Sequence, residues 1–212
     1  SVDALAAQAR VSTPTIMRTA RQLGFEGVRE FKLALAQDLA RATPVHRSVN
    51  LKDSTGDIVQ KILGGAAASI TGLQQQLQTG TLEKAAQLLA RAQRIDCYSV
   101  GATSAFMASD LQGRLFRLGR NAHAFHDAHL QLISAATLGP GGVAVAISHV
   151  GRMPFVLEAI GFAKSQGAPV IAITQPDTPL AQLADVVIGV SVPPDAVMRV
   201  GTEAYIAHLL VI

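Results

Sequence analysis

The chain has 212 residues, with 49% hydrophobic residues, 16% charged residues and a net charge of +3. This composition excludes an intrinsically disordered chain, and so small an excess charge does not by itself indicate nucleic-acid binding. The single cysteine, Cys97, excludes a disulfide framework and a cysteine-rich zinc site, and we assign it to the core of a cytoplasmic protein. No apolar run reaches the roughly 20 residues that cross a bilayer, so no membrane partner is expected.

Short helices are predicted over residues 1–44. The spacing of apolar residues predicts helices over 3–9, 13–23 and 28–41, and Ser12 or Thr13 is suited to cap the second of them. Both ends of the chain lie within or beside helical patterns. We therefore expect a fragment of a longer protein.

The first two helices and the three-residue turn between them have the pattern of a helix-turn-helix. The second helix of such a motif lies in the major groove, where hydroxyl, amide and guanidinium groups contact base edges and phosphates. The candidate DNA contacts are Ser12, Thr13, Thr15, Arg18, Thr19, Arg21, Gln22 and Lys32. The pattern alone is equally compatible with an ordinary helical hairpin that carries solvated arginines.

Charge and aromatic content agree with duplex DNA as the partner. Residues 1–47 carry seven Lys or Arg against four Asp or Glu, whereas residues 48–212 carry eleven of each. The whole positive excess therefore lies in the predicted helix-turn-helix part. Aromatic residues make up only 4% of the chain, so no stacking surface for single strands is evident.

Three motifs occur in this part of the chain: STPTIMR at 12–18, RQLGFEG at 21–27 and EFK at 30–32. Together they resemble the N-terminal domain of the RpiR/MurR family of bacterial transcriptional regulators. The resemblance implies a helix-turn-helix DNA-binding domain in a regulator of carbohydrate metabolism. Arg10 departs from the family pattern, which usually has Gly or a small residue in the turn, and the family's first helix would precede Ser1.

The rest of the chain has the pattern of an α/β domain. Residues 45–56 are polar and are predicted to be a linker, followed by helices over 57–79 and 81–92, with Thr81 as the cap of the second. Strands are predicted at 95–100, 122–125, 143–148, 170–174 and 186–192. Helices are predicted between them at 104–118, 128–138, 153–166 and 179–184, with a last one from about residue 201. This alternation predicts a five-stranded parallel sheet flanked by helices, over residues 57–212.

Two of the predicted strands end in segments rich in small and hydroxyl residues, SVGATS at 99–104 and SHVGR at 148–152. Parallel sheets bind ligands at the carboxyl ends of their strands, and helix N-termini there bind anions. Either segment taken alone is explained as well by ordinary turn and helix-cap residues as by a binding site. Two such segments in equivalent positions favour a binding site.

Several motifs after residue 94 resemble the sugar-isomerase (SIS) domain, namely RLG at 117–119, ISHVGR at 147–152, AIT at 172–174 and PLA at 179–181. The resemblance implies an SIS-type αβα domain that binds a phosphosugar through both loops. The candidate effector-binding residues are Gly101, Thr103, Ser104, Ser148, His149, Gly151, Arg152 and Glu203. Val150 and Met153 replace a Ser and a Thr of the family's phosphate loop. The ligand is therefore a phosphosugar held differently, a less charged sugar acid, or nothing.

The remaining candidate motifs do not predict a metal site or a nucleotide site. His126, Asp127 and His129 have no further ligand nearby, so no metal is expected, and Asp127 is suited to cap a helix. Neither a P-loop nor a Gly-x-Gly-x-x-Gly motif is present, so no nucleotide cofactor is expected. Glu203 has two interpretations, an acid/base group as in SIS isomerases or a carboxylate placed at a helix N-terminus.

These observations predict a transcription factor, not an enzyme, and no catalytic residue is assigned. We expect it to bind double-stranded operator DNA as a homodimer or higher homo-oligomer and to sense a sugar phosphate or sugar acid. A phosphosugar isomerase is one alternative, although an isomerase needs no helix-turn-helix. The other is a degenerate SIS domain that serves only for dimerisation.

Overall fold

The computed structural model describes residues 2, 6, 9–32, 49–192 and 201–212. The chain forms two compact units, Ser1–Arg47 and Ser48–Ile212. Most of the predicted helix over 3–9, the part of the third helix after residue 32 and the start of the predicted linker lie outside the described residues.

In the first unit, helix α1 spans Thr13–Gln22 and buries Ile16 and Ala20. Ser12 is its N-cap, because the Ser12 hydroxyl oxygen accepts the Thr15 N–H at 3.4 Å. The preceding turn places Arg10 at φ 54°, in the left-handed region that glycine adopts at least cost. Arg10 therefore holds a backbone conformation that costs an L residue about 1–2 kcal/mol and that a glycine would adopt more readily.

The second unit is built on the predicted five-stranded parallel sheet, in the order β2-β1-β3-β4-β5. Its strands are β1 (Arg94–Tyr98), β2 (Ala122–Phe125), β3 (Gly142–Ser148), β4 (Val170–Thr174) and β5 (Val186–Gly189). β1 and β5 both end earlier than predicted. β5 is an edge strand and ends with its neighbour β4, whereas β1 ends where its pairing with β2 ends, although β3 continues to Ser148. Tyr98 pairs with Phe125, the last residue of β2, and Gly189 pairs with Thr174, the last residue of β4.

Seven described helices belong to this unit. They are α2 (Thr55–Gln76), α3 (Thr79–Arg91), α4 (Ala102–Arg117), α5 (Ala128–Ala136), α6 (Pro154–Ser165), α7 (Pro179–Leu183) and α8 (Thr202–Val211). Asp127 caps α5 as predicted, accepting the Leu130 N–H at 2.9 Å. The predicted cap Thr81 is wrong, because α3 begins at Thr79, so Thr81 lies in its first turn. Among the described residues, no helix combines the length and apolarity needed to cross a membrane.

The two faces of the sheet carry different side chains. On β3, Val143, Val145 and Ile147 pack with α2, α3, α4 and α8, and they share this core with Cys97. Ala144 and Ala146 face the other side, where α5, α6 and α7 pack. Cys97 is fully buried in this core, as predicted, and burial raises the pKa of its thiol to about 12.

Candidate functional site

A cavity lies where β1 and β3 end. Its wall is formed by the first loop (residues 99–104), the second loop (residues 148–152), the start of α4 and one side of α8. Five of the predicted effector-binding residues line it, namely Gly101, Thr103, Ser104, Ser148 and His149. Val150, Met107 and Met153 add an apolar wall. The structure therefore brings together the two loops that the sequence singled out.

The first loop leads directly into α4. Gly101 has φ +91°, a backbone conformation that L side chains rarely adopt, and it occupies the N-cap position. No side chain caps this helix. The first N–H groups of a helix have no acceptor within the helix, so the start of α4 offers backbone donors beside the Thr103 and Ser104 hydroxyls.

Two hydrogen bonds of the Gly151 backbone hold the second loop in place. The Gly151 N–H donates to the Ser148 hydroxyl oxygen at 3.2 Å, and the Gly151 carbonyl accepts the Leu180 N–H at 3.1 Å. Gly151 has φ +61°, and a Cβ there would lie 2.6 Å from Thr178 Cβ and 2.5 Å from Thr174 Oγ1. A glycine is therefore required at position 151. Because the Ser148 oxygen accepts the Gly151 N–H, the Ser148 hydroxyl proton remains available to donate to a ligand.

Two histidines form one side of the cavity. His149 in the second loop and His208 on α8 meet edge to face, with ring centroids 5.1 Å apart. Burial lowers the pKa of both imidazoles, that of His208 to about 4. Both rings are therefore neutral at pH 7.

The remaining predicted effector-binding residues do not line the cavity. Gly151 shapes the second loop, and Arg152 is exposed. Glu203 is buried, and its side chain packs against Gly65 of α2, where a Cβ would lie 3.2 Å from Glu203 Cδ. Sequence reasoning missed His208, because the apolar pattern of α8 does not distinguish the side of the helix that faces the cavity.

The candidate DNA contacts lie mainly on the exposed side of α1. Thr15, Arg18, Thr19 and Gln22 are exposed opposite the buried Ile16. Ser12 and Arg21 are also exposed, whereas Thr13 and Lys32 are half-buried. The first unit thus presents hydroxyl, amide and guanidinium groups together on one helix.

His126 and Asp127 have hydrogen-bond partners within the protein. Its two ring nitrogens lie 3.0 Å from the hydroxyls of Ser99 and Ser109. Asp127 is engaged as the cap of α5. Within the described ranges, no group of three or more His, Cys, Asp or Glu side chains is arranged to hold a metal ion.

Two family models match the chain. The model described as "Helix-turn-helix domain, rpiR family" matches residues 1–42, and the model described as "SIS domain" matches residues 88–212. HTH-type transcriptional regulator HexR of Escherichia coli (strain K12) is 36% identical over 213 residues, covering 100% of this chain and 73% of HexR.

A longer curated protein and a solved structure also match. Bifunctional protein glk of Paraburkholderia xenovorans is 40% identical over 185 residues, which cover 87% of this chain and 29% of that protein. The chain thus spans less than a third of the length of this relative. The structure of the Vibrio vulnificus NanR protein complexed with ManNAc-6P matches with a TM-score of 0.68 and 27% identity, covering 100% of this chain and 75% of NanR.

Proposed function

The chain belongs to the RpiR family of helix-turn-helix transcriptional regulators with an SIS domain, and from this premise we propose that a sugar metabolite controls its binding to duplex operator DNA. The proposed effector is a phosphorylated sugar or sugar acid that binds in the cavity between the first and second loops. NanR, a similar protein, was solved with a phosphorylated amino sugar, which supports this class of ligand.

One observation carries the effector proposal: the hydroxyls of Thr103, Ser104 and Ser148 lie around one cavity at the uncapped start of α4. Backbone N–H groups and hydroxyls at a helix N-terminus favour an anion such as a phosphate. No Lys or Arg lines the cavity within the described residues. The anion is therefore held by neutral donors, and its affinity depends strongly on each of them.

The same cavity argues against an isomerase. By the resemblance to SIS isomerases, an isomerase of this fold would use Glu203 as its acid/base group, and the imidazoles of the two histidines that line the cavity are the other groups that can move a proton. Glu203 packs against Gly65, and it is absent from the residues that line the cavity. Val150 and Met153 place apolar side chains where the SIS phosphate loop has hydroxyls. These features favour ligand sensing over catalysis.

We further propose that the regulator acts as a homodimer or higher homo-oligomer. Helix α2 exposes four large apolar side chains at helical spacing, Val59, Ile62, Leu63 and Ile70. Exposed apolar stripes of this kind mark protein interfaces. A dimer would present two copies of α1 to two half-sites of a palindromic operator.

The DNA proposal is tested with a duplex enriched from a random-sequence library by the full chain. Arg18→Ala and Arg21→Ala are each expected to weaken binding severalfold and to lower the slope of log K against log salt by about 1, if the lost contact is to a phosphate. Arg117→Ala, on the exposed end of α4, is the matched control and should bind as the wild type. Unchanged binding by both α1 variants would refute the assignment of α1 as the recognition helix.

The effector proposal is tested by thermal unfolding with a panel of sugar phosphates and sugar acids. A ligand present at 100 times its Kd stabilises the folded state by about 2.7 kcal/mol. Ser148→Ala should remove the shift, whereas Ser165→Ala, an exposed serine at the end of α6, should retain it. The proposal fails if no compound stabilises the wild type.

A further inference from the structure

His149 and His208 have a hydrogen-bonding capacity that the proposed phosphate site does not use. Both side chains line the cavity, yet their residues are only 8% and 3% exposed. His149 Nδ1 and His208 Nε2 are buried and have no hydrogen-bond partner. Five other buried side-chain atoms of the described residues also have no hydrogen-bond partner, but only the two histidine atoms belong to residues that line the cavity. A buried polar atom without a partner costs free energy, so a ligand that pairs with these two atoms is favoured.

The proton position on His208 follows from its partner. His208 Nδ1 lies 2.8 Å from the carbonyl oxygen of Ala204, and a carbonyl can only accept. Nδ1 therefore carries the proton of the neutral ring, which leaves Nε2 as a hydrogen-bond acceptor.

The neutral His149 ring also carries its proton on Nδ1, but in this ring Nδ1 is the nitrogen without a partner. His149 Nε2 lies 3.2 Å from the side-chain nitrogen of Gln175, and with the Gln175 amide in this orientation its nitrogen donates. Nε2 therefore accepts, and Nδ1 carries the proton of the neutral ring. The two adjacent rings thus supply one unpaired donor, on His149, and one unpaired acceptor, on His208.

We propose that this imidazole pair is the subsite for the hydroxyl groups of the effector, an inference that rests on the proposed sugar-metabolite site. A hydroxyl both donates and accepts, so hydroxyls complete the pair, whereas the oxygens of a phosphate dianion only accept and cannot pair with His208 Nε2. The phosphate is therefore directed to the start of α4 and Ser148. The sugar hydroxyls are directed to the histidines, which fixes the orientation of the ligand.

The test compares inorganic phosphate with three sugar ligands on the full chain by calorimetric titration. The sugar ligands are glucose 6-phosphate, N-acetylmannosamine 6-phosphate and 6-phosphogluconate. For the one that binds the wild type most tightly, His208→Leu should weaken binding about tenfold, the effect of one lost hydrogen bond, and should leave phosphate binding within about twofold. His208→Gln should restore much of the loss, because its amide oxygen can accept near the position of Nε2.

Controls separate binding from folding. His129→Leu changes an exposed histidine on α5 and should bind both probes as the wild type, and circular dichroism checks that each variant is folded. In ¹⁵N spectra, the His208 Nε2 resonance should move on addition of the sugar ligand and stay in place on addition of inorganic phosphate. A residue that serves only packing would not produce this difference.

The outcomes distinguish the inference from its premise. If His208→Leu binds the sugar ligand as tightly as the wild type, the histidines serve only packing and the inference is wrong. If the wild type binds inorganic phosphate and binds no sugar ligand more tightly, the anion site stands and the hydroxyl subsite is refuted. If the wild type binds none of the four probes, the proposed sugar-metabolite site itself fails, and the inference fails with it.

Discussion

Replacing Gly151 with alanine tests the geometry of the second loop directly. Gly151 has φ +61°, and an added Cβ would lie 2.6 Å from Thr178 Cβ and 2.5 Å from Thr174 Oγ1. Neither threonine can move away at low cost. Thr178 donates to the Gln175 carbonyl at 3.0 Å and accepts the Ala181 N–H at 3.2 Å, and Thr174 is fully buried on β4.

The expected cost of Gly151→Ala combines two effects. A left-handed backbone costs an L residue about 1–2 kcal/mol. Overpacking of a closed site costs about 1–3 kcal/mol. The free energy of unfolding should therefore fall by about 3 kcal/mol, and a variant that remains folded should bind the effector more weakly, because Ser148 loses its fixed position.

Urea unfolding followed by far-ultraviolet circular dichroism measures this cost. Gly161→Ala is the matched control, because Gly161 lies within α6 with no atom near an added Cβ. It should stabilise the protein by about 0.5–1 kcal/mol through helix propensity. A Gly151→Ala variant as stable as the wild type would show that the second loop does not have the conformation described.

Three further perturbations should each change the free energy of unfolding. Burial lowers the pKa of His208 from 6.5 to about 4 in the folded protein, so the unfolded chain takes up a proton first as the pH falls. Acidification from pH 7 to 5 should therefore lower the free energy of unfolding by about 2 kcal/mol. In urea unfolding, His208→Leu should lose this part of the pH dependence. Asp96→Ala removes a buried carboxylate 3.1 Å from Arg94 and should cost about 3 kcal/mol, so an unchanged melting temperature would contradict the buried pairing. Ser54→Ala removes the capping box with Asp57 and should cost about 1 kcal/mol in thermal unfolding, whereas no loss would mean that this cap does not form.

The sheet could be predicted closely because of where its strands lie. A parallel strand covered on both faces is a continuous apolar run, and 143–148 and 170–174 have this pattern, each with Gly or Pro before it and a polar residue after it. The ends of β1 and β5 could not be predicted in the same way. The end of β5 depends on where β4 ends, and the residues of β5 do not contain that information. The structure gives no comparable reason for the end of β1, because its neighbour β3 continues to Ser148.

The two loops of the candidate site could be predicted from the sequence, whereas the contribution of α8 could not. Gly101 and Ser148 follow apolar strands and precede helices, and the rule for open parallel sheets places such segments at one edge. The role of α8 was less accessible. Glu203 and His208 are both polar residues on an apolar helix, and only the packing of α8 against α2 determines that Glu203 faces Gly65 while His208 faces the cavity.

The central claim is that a sugar metabolite bound at the first and second loops controls the affinity of α1 for DNA. The most direct measurement is the Kd for the enriched duplex with and without the sugar ligand, for the wild type and for Ser148→Ala. Because ligands act on each other through a coupling free energy, the ligand should change the wild-type Kd by about fivefold or more and leave the Kd of the variant unchanged. A wild type that binds both the ligand and the duplex, with no effect of one on the other, would contradict the account.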